Sequence, residues 1–415
     1  MTAKAGRFRD ALAIGEFRAI FAAHTVSMTG SVLAQLALTV LVYLRSDSPL
    51  LAAVTFALPM LPQLVAGTLL SALVDRVPNR RLLVGCNLIS AVLAAAMAVP
   101  GAPTAVLLAL GFALGLIRPV FGGARAATMP QVLPGDAYVP GRSLMRVVAQ
   151  VAQIGGFAVS GIALTVVSPG TLLLADAVSF GLSAALLRFG TRERPAAAGS
   201  GQSLVRDSLS GIGRLMAVRP LRRLLVFAWA VPAFAVAPEA LAVPYAAELS
   251  ADDTVGAGLL LTALPLGTVA AEFAGNWTLS AGRQVRLMAA LAALCFAPLL
   301  AFAFRPPIPV AAGVLFVAGL GASFQLGLDR MLLDAAPKEL LGRALSVRAS
   351  WMMFFQGLGF AVAGLAAEFA PTTAVITGAA LCGLLAAGVF ALSGVQPRYV
   401  ALADQALGQD PQGER

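Results

Sequence analysis

The chain has 415 residues, of which 59% are hydrophobic and only 12% are charged. Ordinary soluble domains contain about 25% charged residues, and a folded domain of any size leaves much of its surface in water. The composition therefore excludes a soluble globular protein, and the formal net charge of +9 needs an explanation from either membrane topology or nucleic-acid binding.

Twelve apolar segments are long enough to cross a membrane, which takes about 20 predominantly apolar residues per helix. Charged residues, prolines and glycines bound the predicted spans at 17–44, 50–74, 82–100, 103–124, 143–167, 171–188, 222–247, 255–277, 285–304, 308–328, 341–367 and 372–394. The first segment follows a basic N-terminus but is too long for the apolar region of a signal peptide. We interpret it as a retained helix.

The basic residues predict the orientation of these spans. With a cytoplasmic N-terminus and every span crossing, nearly all loop arginines fall on the cytoplasmic side, and only Arg45 and Arg305 remain outside. This asymmetry follows the positive-inside rule and accounts for most of the net charge. We therefore expect cytoplasmic N- and C-termini and no nucleic-acid partner.

A polar middle segment separates the first six spans from the last six. Its early part is rich in Pro, Ala, Gly and Ser, whereas its later part places Val205, Leu209, Ile212 and Met216 on one helix face. The predicted organisation is an N-terminal bundle at 1–188, a cytoplasmic linker with an amphipathic helix at 189–221, a C-terminal bundle at 222–394 and a cytoplasmic tail at 395–415.

The two halves share a sequence pattern. Residues 153–161 and 356–364 both fit Q-x-x-G-F-A-V-x-G, in the fifth and eleventh predicted spans. Coincidence is the alternative, but the agreement in span number and sidedness favours duplication. Two similar halves around a midplane cavity suit alternating access. The sequence thus predicts an all-α membrane protein with twelve transmembrane helices in two pseudo-symmetric six-helix bundles.

The sequence lacks the residues that several enzyme classes need for their chemistry. The two lysines, Lys4 and Lys338, are not part of a G-x-x-x-x-G-K-[ST] loop, so the chain cannot form its own P-loop ATPase. A single histidine excludes His-rich metal sites. Three distant cysteines in apolar runs support neither a disulfide framework nor a metal cluster. We expect no enzymatic activity, cofactor or metal.

The loop between the second and third spans, residues 71–81, reads S-A-L-V-D-R-V-P-N-R-R. It resembles the signature loop of the major facilitator superfamily, G-x-L-x-D-R-x-G-R-[RK], and with the six-plus-six spans the resemblance covers nearly the whole chain. The loop departs from the family at Ser71 and at Pro78, each of which replaces a glycine. Because proline cannot adopt a positive φ, the turn at Pro78 must differ.

The resemblance implies a charge latch that holds the two halves together in the outward-open form. Asp75 would contact the start of the eleventh span, where helix N-termini and guanidinium groups stabilise a carboxylate by about 0.3–2 kcal/mol. A solvated loop carboxylate is the alternative. The candidate latch residues are Asp75, Arg76, Arg80, Arg81, Gly342 and Arg343.

A second motif points to one branch of the superfamily. Residues 121–130, F-G-G-A-R-A-A-T-M-P, resemble the F-x-P-A-R-x-A-x-x-P stretch of bacterial drug and siderophore exporters. The antiporter signature of the fifth span is not reproduced, since Phe157 occupies its proline position. The resemblance implies proton-coupled efflux of small amphipathic molecules. Uptake or lipid flipping by the same fold, and a non-transporting receptor or scaffold, remain alternatives.

Ionisable residues inside predicted spans are candidate proton or substrate sites, because each costs about 2.5–3.5 kcal/mol on insertion scales. Glu239, with a proline on each side, is predicted to interrupt the seventh helix and to bind substrate or protons; an outer-end position is the alternative. Arg118 is either a counter-charge, an anion contact or a snorkelling residue. Asp176 is either buried or interfacial, and His24 is either a proton relay or a packing residue.

Neutral polar side chains in the spans suit either a cavity lining or hydrogen bonds between helices. The candidates are Gln35, Gln63, Gln153, Gln325 and Gln356. The partners expected are a small-molecule substrate, protons and membrane lipid, and the chain is expected to be a monomer in the plasma (inner) membrane of a bacterium.

Overall fold

The computed structural model describes residues 8–62, 77–133, 137–194, 216, 219–250, 253–278, 281–335 and 341–393. Within these ranges all regular elements are helical, and eleven helical segments are long and apolar enough to cross a membrane. They coincide with eleven of the twelve predicted spans. The second predicted span, 50–74, is described only to residue 62. The predicted all-α membrane class is therefore confirmed over the described residues.

Residues 1–203 and 252–262 form the first of two compact units. Its helices, labelled in chain order, are α1 (Phe8–Ala13), α2 (Gly15–Ser46), α3 (Pro49–Ala57), α4 (Asn79–Met97), α5 (Thr104–Val132), α6 (Tyr138–Ala163) and α7 (Pro169–Gly190). Ser48 and Ser168 cap α3 and α7 by accepting hydrogen bonds from backbone N–H groups, and proline follows each of them. Each helix therefore begins with a favourable capping serine, followed by a proline whose ring holds φ at a helical value.

In the first unit α2 is the central helix, packed against α3, α6 and α7, while α4 packs against α5 and α7. One apolar cluster surrounds the buried Phe17 and Leu133, and another surrounds Leu107 and Leu173. Large apolar side chains on outward faces are exposed, such as Val92 at 68%. Exposed apolar surface of this kind is expected where lipid is the surrounding solvent, because lipid tails are as apolar as leucine.

Glycine permits a close helix contact at the end of α6. The facing residues belong to the part of α11 (Thr254–Thr278) that lies in the first unit. A Cβ on Gly161 would lie 2.7 Å from the Thr254 carbonyl oxygen, and a Cβ on Gly258 would lie 2.8 Å from the Phe157 carbonyl oxygen. Thr254 Oγ1 donates to the Gly161 carbonyl at 3.0 Å. The last glycine of the repeated pattern thus has a packing role.

Residues 204–251 and 263–415 form the second unit. Besides the rest of α11, it contains α8 (Arg219–Ala235), α9 (Ala237–Ala240), α10 (Ala242–Leu249), α12 (Ala281–Leu294), a 3₁₀ helix (Ala297–Phe304), α13 (Ile308–Leu320), a 3₁₀ turn (Gly321–Ser323), α14 (Phe324–Ala335), α15 (Leu341–Ala367) and α16 (Thr372–Leu392). Helix α8 packs against α15 and α16, and α12 packs against α14. Phe227 of α8 contacts the rings of Phe324 and Phe390.

The predicted linker helix and C-terminal tail lie outside the described residues. Of the linker from 195 to 218, only Met216 is described. The predicted domain boundaries accordingly stay a prediction.

Candidate functional site

Asp176 is a buried carboxyl group in the first unit. It lies on α7 and is 1% exposed. Its Oδ1 accepts a hydrogen bond from Ser31 Oγ of α2 at 3.3 Å and another from Ser179 Oγ at 3.2 Å. A membrane span retains an ionisable group chiefly where the group faces a polar network or a cavity. Asp176 has both, because the side chain also lines a small cavity.

Arg118 of α5 lines the same cavity as Asp176 and attracts it electrostatically. The cavity measures about 40 Å³ and lies among α2, α3, α5 and α7. This volume is enough to hold water, which needs roughly 10–15 Å³ and polar partners. Gln35, the third predicted residue on its wall, also ties α2 to α3 by donating to the Phe56 carbonyl at 3.1 Å.

Arg118 also faces a second cavity, of about 210 Å³, on whose wall lie His24 of α2 and Arg125 of α5. Arg125 Nη1 lies 2.7 Å from His24 Nδ1 and 3.0 Å from Nε2. Because a guanidinium only donates hydrogen bonds, the ring nitrogen that it approaches must be the unprotonated acceptor. His24 is thus a hydrogen-bonded partner of Arg125, and the residue as a whole is 8% exposed.

Arg125 is not among the predicted site residues, because the fourth predicted span ends at residue 124. In the structure α5 continues to Val132, so Arg125 lies within the helix. The available signal was its spacing from Arg118: seven residues are close to two helical turns, which places both side chains on one face.

Glu239 lies in the second unit, in the short helix α9. The chain leaves regular helix at Val236 and again at Leu241, so the seventh span consists of three helical pieces. The carbonyl oxygens of Val236 and Leu241 still accept hydrogen bonds from the backbone N–H groups of Ala240 and Tyr245. Irregular backbone within a membrane span is tolerated where it is buried in protein or lines a cavity. Helix α9 packs against α15, which carries Gln356. The Gln356 Oε1 atom is buried and has no hydrogen-bond partner among the described residues.

Half of the predicted latch lies outside the described residues. The latch residues outside are Asp75, Arg76 and the side chain of Arg343, while Gly342 is described only as part of α15. Gln63, a predicted cavity residue, also lies outside the described residues. Arg80 donates to the Arg188 carbonyl oxygen at the end of α7, and Arg81 forms an ion pair of 2.6 Å with Glu193. The latch itself stays a prediction.

An ion pair ties the chain after α7 to the start of α2. Arg194 donates from both terminal nitrogens to Glu16, at 2.5 and 2.8 Å, and the Arg192 backbone N–H donates to the same carboxylate at 3.0 Å. The hydrogen bond to Glu16 raises the pKa of the Arg194 guanidinium. This bidentate contact has the geometry of the strong class of ion pairs.

The remaining candidates have weaker support. Gln153 on α6 and Gln325 on α14 are half-buried. Among the described residues no group of three or more His, Cys, Asp or Glu side chains is placed to hold a metal ion. The arrangement that concentrates polar chemistry is therefore the one in the first unit, around Asp176, Arg118, Arg125 and His24.

Comparison with known proteins identifies one family that matches the chain. A family described as transmembrane secretion effector matches residues 10–409. No curated protein matches the chain in sequence.

Solved structures of transporters share the fold. A variant of the nucleoside transporter NupG has a TM-score of 0.72 at 14% identity, over 91% of this chain and 98% of that one. A bacterial homologue of the iron transporter ferroportin in an inward-facing state has a TM-score of 0.67 at 12% identity, over 93% and 98%. A bacterial homologue of the human lysosomal transporter Spinster, inward-facing and unoccupied, has a TM-score of 0.64 at 13% identity, over 99% and 100%.

Proposed function

The chain belongs to the transmembrane secretion effector family of the major facilitator superfamily, and on this premise we propose that it exports small amphipathic molecules in exchange for protons. It is a multi-pass membrane protein and a secondary transporter of the major facilitator type. The proposal adds the direction of transport, the coupling ion and the general class of substrate, such as a drug, a siderophore or a secondary metabolite.

The buried carboxyl group of Asp176 is the observation that carries the proton coupling. The side chain is 1% exposed within a membrane span, where a permanent charge is unfavourable. The adjacent small cavity can hold water, and Arg118 on its wall supplies a counter-charge. The Arg118 guanidinium and the donating hydroxyl groups of Ser31 and Ser179 stabilise the ionised form of Asp176, whereas burial away from water favours the protonated form. A coupling group needs this ability to exist in two states.

Glu239 is a second carboxyl group that supports the proposal from the other unit. It lies in the interrupted seventh span, where irregular backbone is tolerated only beside a cavity or within protein. Under alternating access, protonation of one or both carboxyl groups would stabilise one conformation, and substrate would stabilise the other by its differential affinity.

The family and the charge pattern support the proposed direction and location. The family's description as a secretion effector supports export, and the arginine asymmetry supports cytoplasmic termini. We place the protein in the plasma membrane of a bacterium, as a monomer with lipid, protons and a small molecule as its partners and without enzymatic activity or nucleic-acid binding.

Within transport, the alternative function is uptake or lipid flipping. The alternative from another functional class is a non-transporting receptor or scaffold. A sizeable soluble appendage would favour the scaffold. The described residues of this chain are almost entirely helices of membrane-spanning character, which favours transport.

Everted membrane vesicles provide the test. An imposed pH gradient, acid inside, is monitored with a fluorescent amine while a panel of amphipathic compounds is added to vesicles with and without the protein. We expect at least one compound to dissipate the gradient only when the protein is present. If the gradient drives transport of no compound and no compound dissipates it, the proton-coupled export proposal is wrong.

The same vesicle assay on Asp176→Asn and Glu239→Gln tests which carboxyl group couples transport to protons. Asp334→Asn is the matched control. Asp334 is an exposed carboxylate on α14. The proposal predicts that the control behaves like the parent, whereas Asp176→Asn no longer dissipates the gradient at equal abundance in the membrane. An unchanged response in both site variants would remove these carboxyl groups from the mechanism.

A further inference from the structure

Two adjoining cavities in the first unit form one chamber. The first, of about 210 Å³, reaches from Arg118 to Arg125, and the second, of about 480 Å³, continues past Arg125 to α6. The two share His24, Met28, Gly122 and Arg125 as wall residues. Binding sites for small molecules occupy about 300–1,000 Å³, so the chamber has a suitable size.

The charges on the chamber wall are unbalanced. Arg118 attracts Asp176 across the neighbouring small cavity, so it has a counter-charge. No carboxylate lies among the described wall residues of the two larger cavities. Arg125, about two turns further along α5, therefore faces the chamber without an opposite charge.

The contacts of Arg125 position its guanidinium but do not neutralise it. His24 accepts from Nη1 at 2.7 Å and is for that reason a neutral ring. The Phe121 ring centroid lies 5.8 Å from Arg125 Cζ, within the range of a cation–π contact. Both partners hold the side chain in place and leave donors of the planar fork for a ligand, because a guanidinium has five N–H groups.

Two further arginines stand at the wide end of the chamber. Arg142 and Arg146 of α6 are exposed and line the larger cavity. Neither forms an ion pair within the described part of the chain; Arg142 stacks on Tyr138, with 5.7 Å from its Cζ to the ring centroid. Clefts lined by one sign of charge concentrate ions of the opposite sign. The cationic residues thus extend from exposed Arg142 and Arg146 to half-buried Arg125 and Arg118.

The narrow part of the chamber also offers apolar surface, from Met28, Leu114, Ile117 and Phe180. A ligand that suits these walls has an apolar body and a negatively charged group. We infer that the chamber binds an amphipathic organic anion, with Arg125 as the residue that anchors the carboxylate, sulfonate or phosphate group. The inference rests on the proposed export function and names the class of its substrate.

An anionic cargo agrees with export. A cell is negative inside, so the membrane potential favours the exit of an anion. The predicted orientation places Arg142 and Arg146 on the cytoplasmic side, where a cargo for export would enter.

The test measures binding to the purified full-length protein in a neutral detergent at one fixed pH. The probes are 1-naphthoate, an anion, and 1-naphthamide, a neutral molecule of nearly the same shape. Radiolabelled probe and equilibrium dialysis give the dissociation constants. We expect naphthoate to bind at least tenfold more tightly than naphthamide, and Arg125→Gln to remove that preference. Equal binding of the two probes, or an undiminished preference in Arg125→Gln, would overturn the inference.

Three further measurements separate this result from other causes. Arg283→Gln removes an exposed arginine of α12 and the same net charge, and it should keep the preference for naphthoate. In a separate competition experiment, the anionic lipid phosphatidylglycerol is added together with the naphthoate probe. If the lipid binds in an Arg125-dependent manner while naphthoate does not, the chamber is a lipid headgroup site and the inference is wrong. Arg125→Lys should retain part of the preference, because charge remains but the planar fork is lost.

This assay needs neither a pH gradient nor transport. The inference can therefore fail while proton-coupled export stands, and an anion preference can be found even if the vesicle assay excludes proton coupling.

Discussion

Ser31 of α2 and Asp176 of α7 are joined by a hydrogen bond of 3.3 Å, in the interior of the first unit. The two helices approach closely because the neighbouring residue on α2 is Gly30. A Cβ at that position would lie 2.9 Å from Asp176 Oδ1 and 2.7 Å from Ser179 Cβ. The environment of the carboxyl group thus depends on a helix contact that only a residue without a side chain allows.

Gly30→Leu should destabilise the protein through this contact. Overpacking of a filled site costs about 1–3 kcal/mol, so we expect a clear fall in the apparent melting temperature in detergent, measured by size-exclusion chromatography after heating. Gly155→Leu is the control, because a Cβ at exposed Gly155 has no atom within 4 Å. Equal melting temperatures of the two variants would show that the α2–α7 contact is not tight.

Glu16→Gln and Glu193→Gln should differ in their effect on stability. Glu16 makes a bidentate contact with Arg194 and its side chain is 13% exposed, whereas the Glu193–Arg81 pair has side chains 41% and 69% exposed. Exposed pairs contribute about 0–1 kcal/mol and are screened by salt. We expect a measurable loss for Glu16→Gln and almost none for Glu193→Gln in low-salt thermal unfolding. A larger loss of stability for Glu193→Gln than for Glu16→Gln would contradict this account of the N-terminal end of α2.

Tyr245→Phe should weaken the second unit. The Tyr245 hydroxyl donates to the Pro306 carbonyl oxygen at 2.5 Å, and the side chain is 1% exposed. Removal of a buried hydrogen bond typically costs about 0.5–1.5 kcal/mol, and here it also leaves a buried carbonyl without its donor. The apparent melting temperature of Tyr245→Phe should fall below that of Tyr138→Phe, the control on half-buried Tyr138. A fall in the control of the same size would argue against a specific role of the hydroxyl.

Labelling of single cysteines should confirm the predicted orientation. In a chain whose three native cysteines are replaced by alanine, Arg81→Cys and Arg219→Cys should react with a membrane-impermeant maleimide only in everted vesicles. Arg45→Cys and Arg305→Cys should react only in intact spheroplasts. These outcomes follow from the positive-inside rule. Labelling of residues 81 and 219 from opposite sides would refute the topology.

The sequence predicted the spans well, because lipid requires long apolar helices whose backbone groups are satisfied internally. Eleven of the predicted spans coincide with helices of the described chain. The interruption of the seventh span was also predictable, since Pro238 and Pro244 lie on both sides of Glu239. Helix ends were less predictable: the fourth span was expected to end before Arg125, whereas α5 continues to Val132.

The pairing of site residues could not be predicted. Arg118 and Asp176 lie on different helices, and their common cavity depends on how α5 and α7 pack around α2. The contact between Arg125 and His24 depends on the same packing. Because the fourth predicted span ends at residue 124, the prediction leaves Arg125 outside the apolar helix. The helical spacing of a charged residue from another intramembrane charge predicts a position inside the protein. That spacing is a better guide than the position of the residue at the edge of an apolar run.

Purified protein in liposomes gives the most direct test of proton coupling through Asp176. The substrate identified in vesicles is assayed in two modes, accumulation driven by an imposed pH gradient and exchange at equal pH and equal concentration. The account predicts that Asp176→Asn retains exchange within about twofold of the parent and loses gradient-driven accumulation, while Asp334→Asn retains both. Gradient-driven accumulation by Asp176→Asn at the parental level would contradict the account.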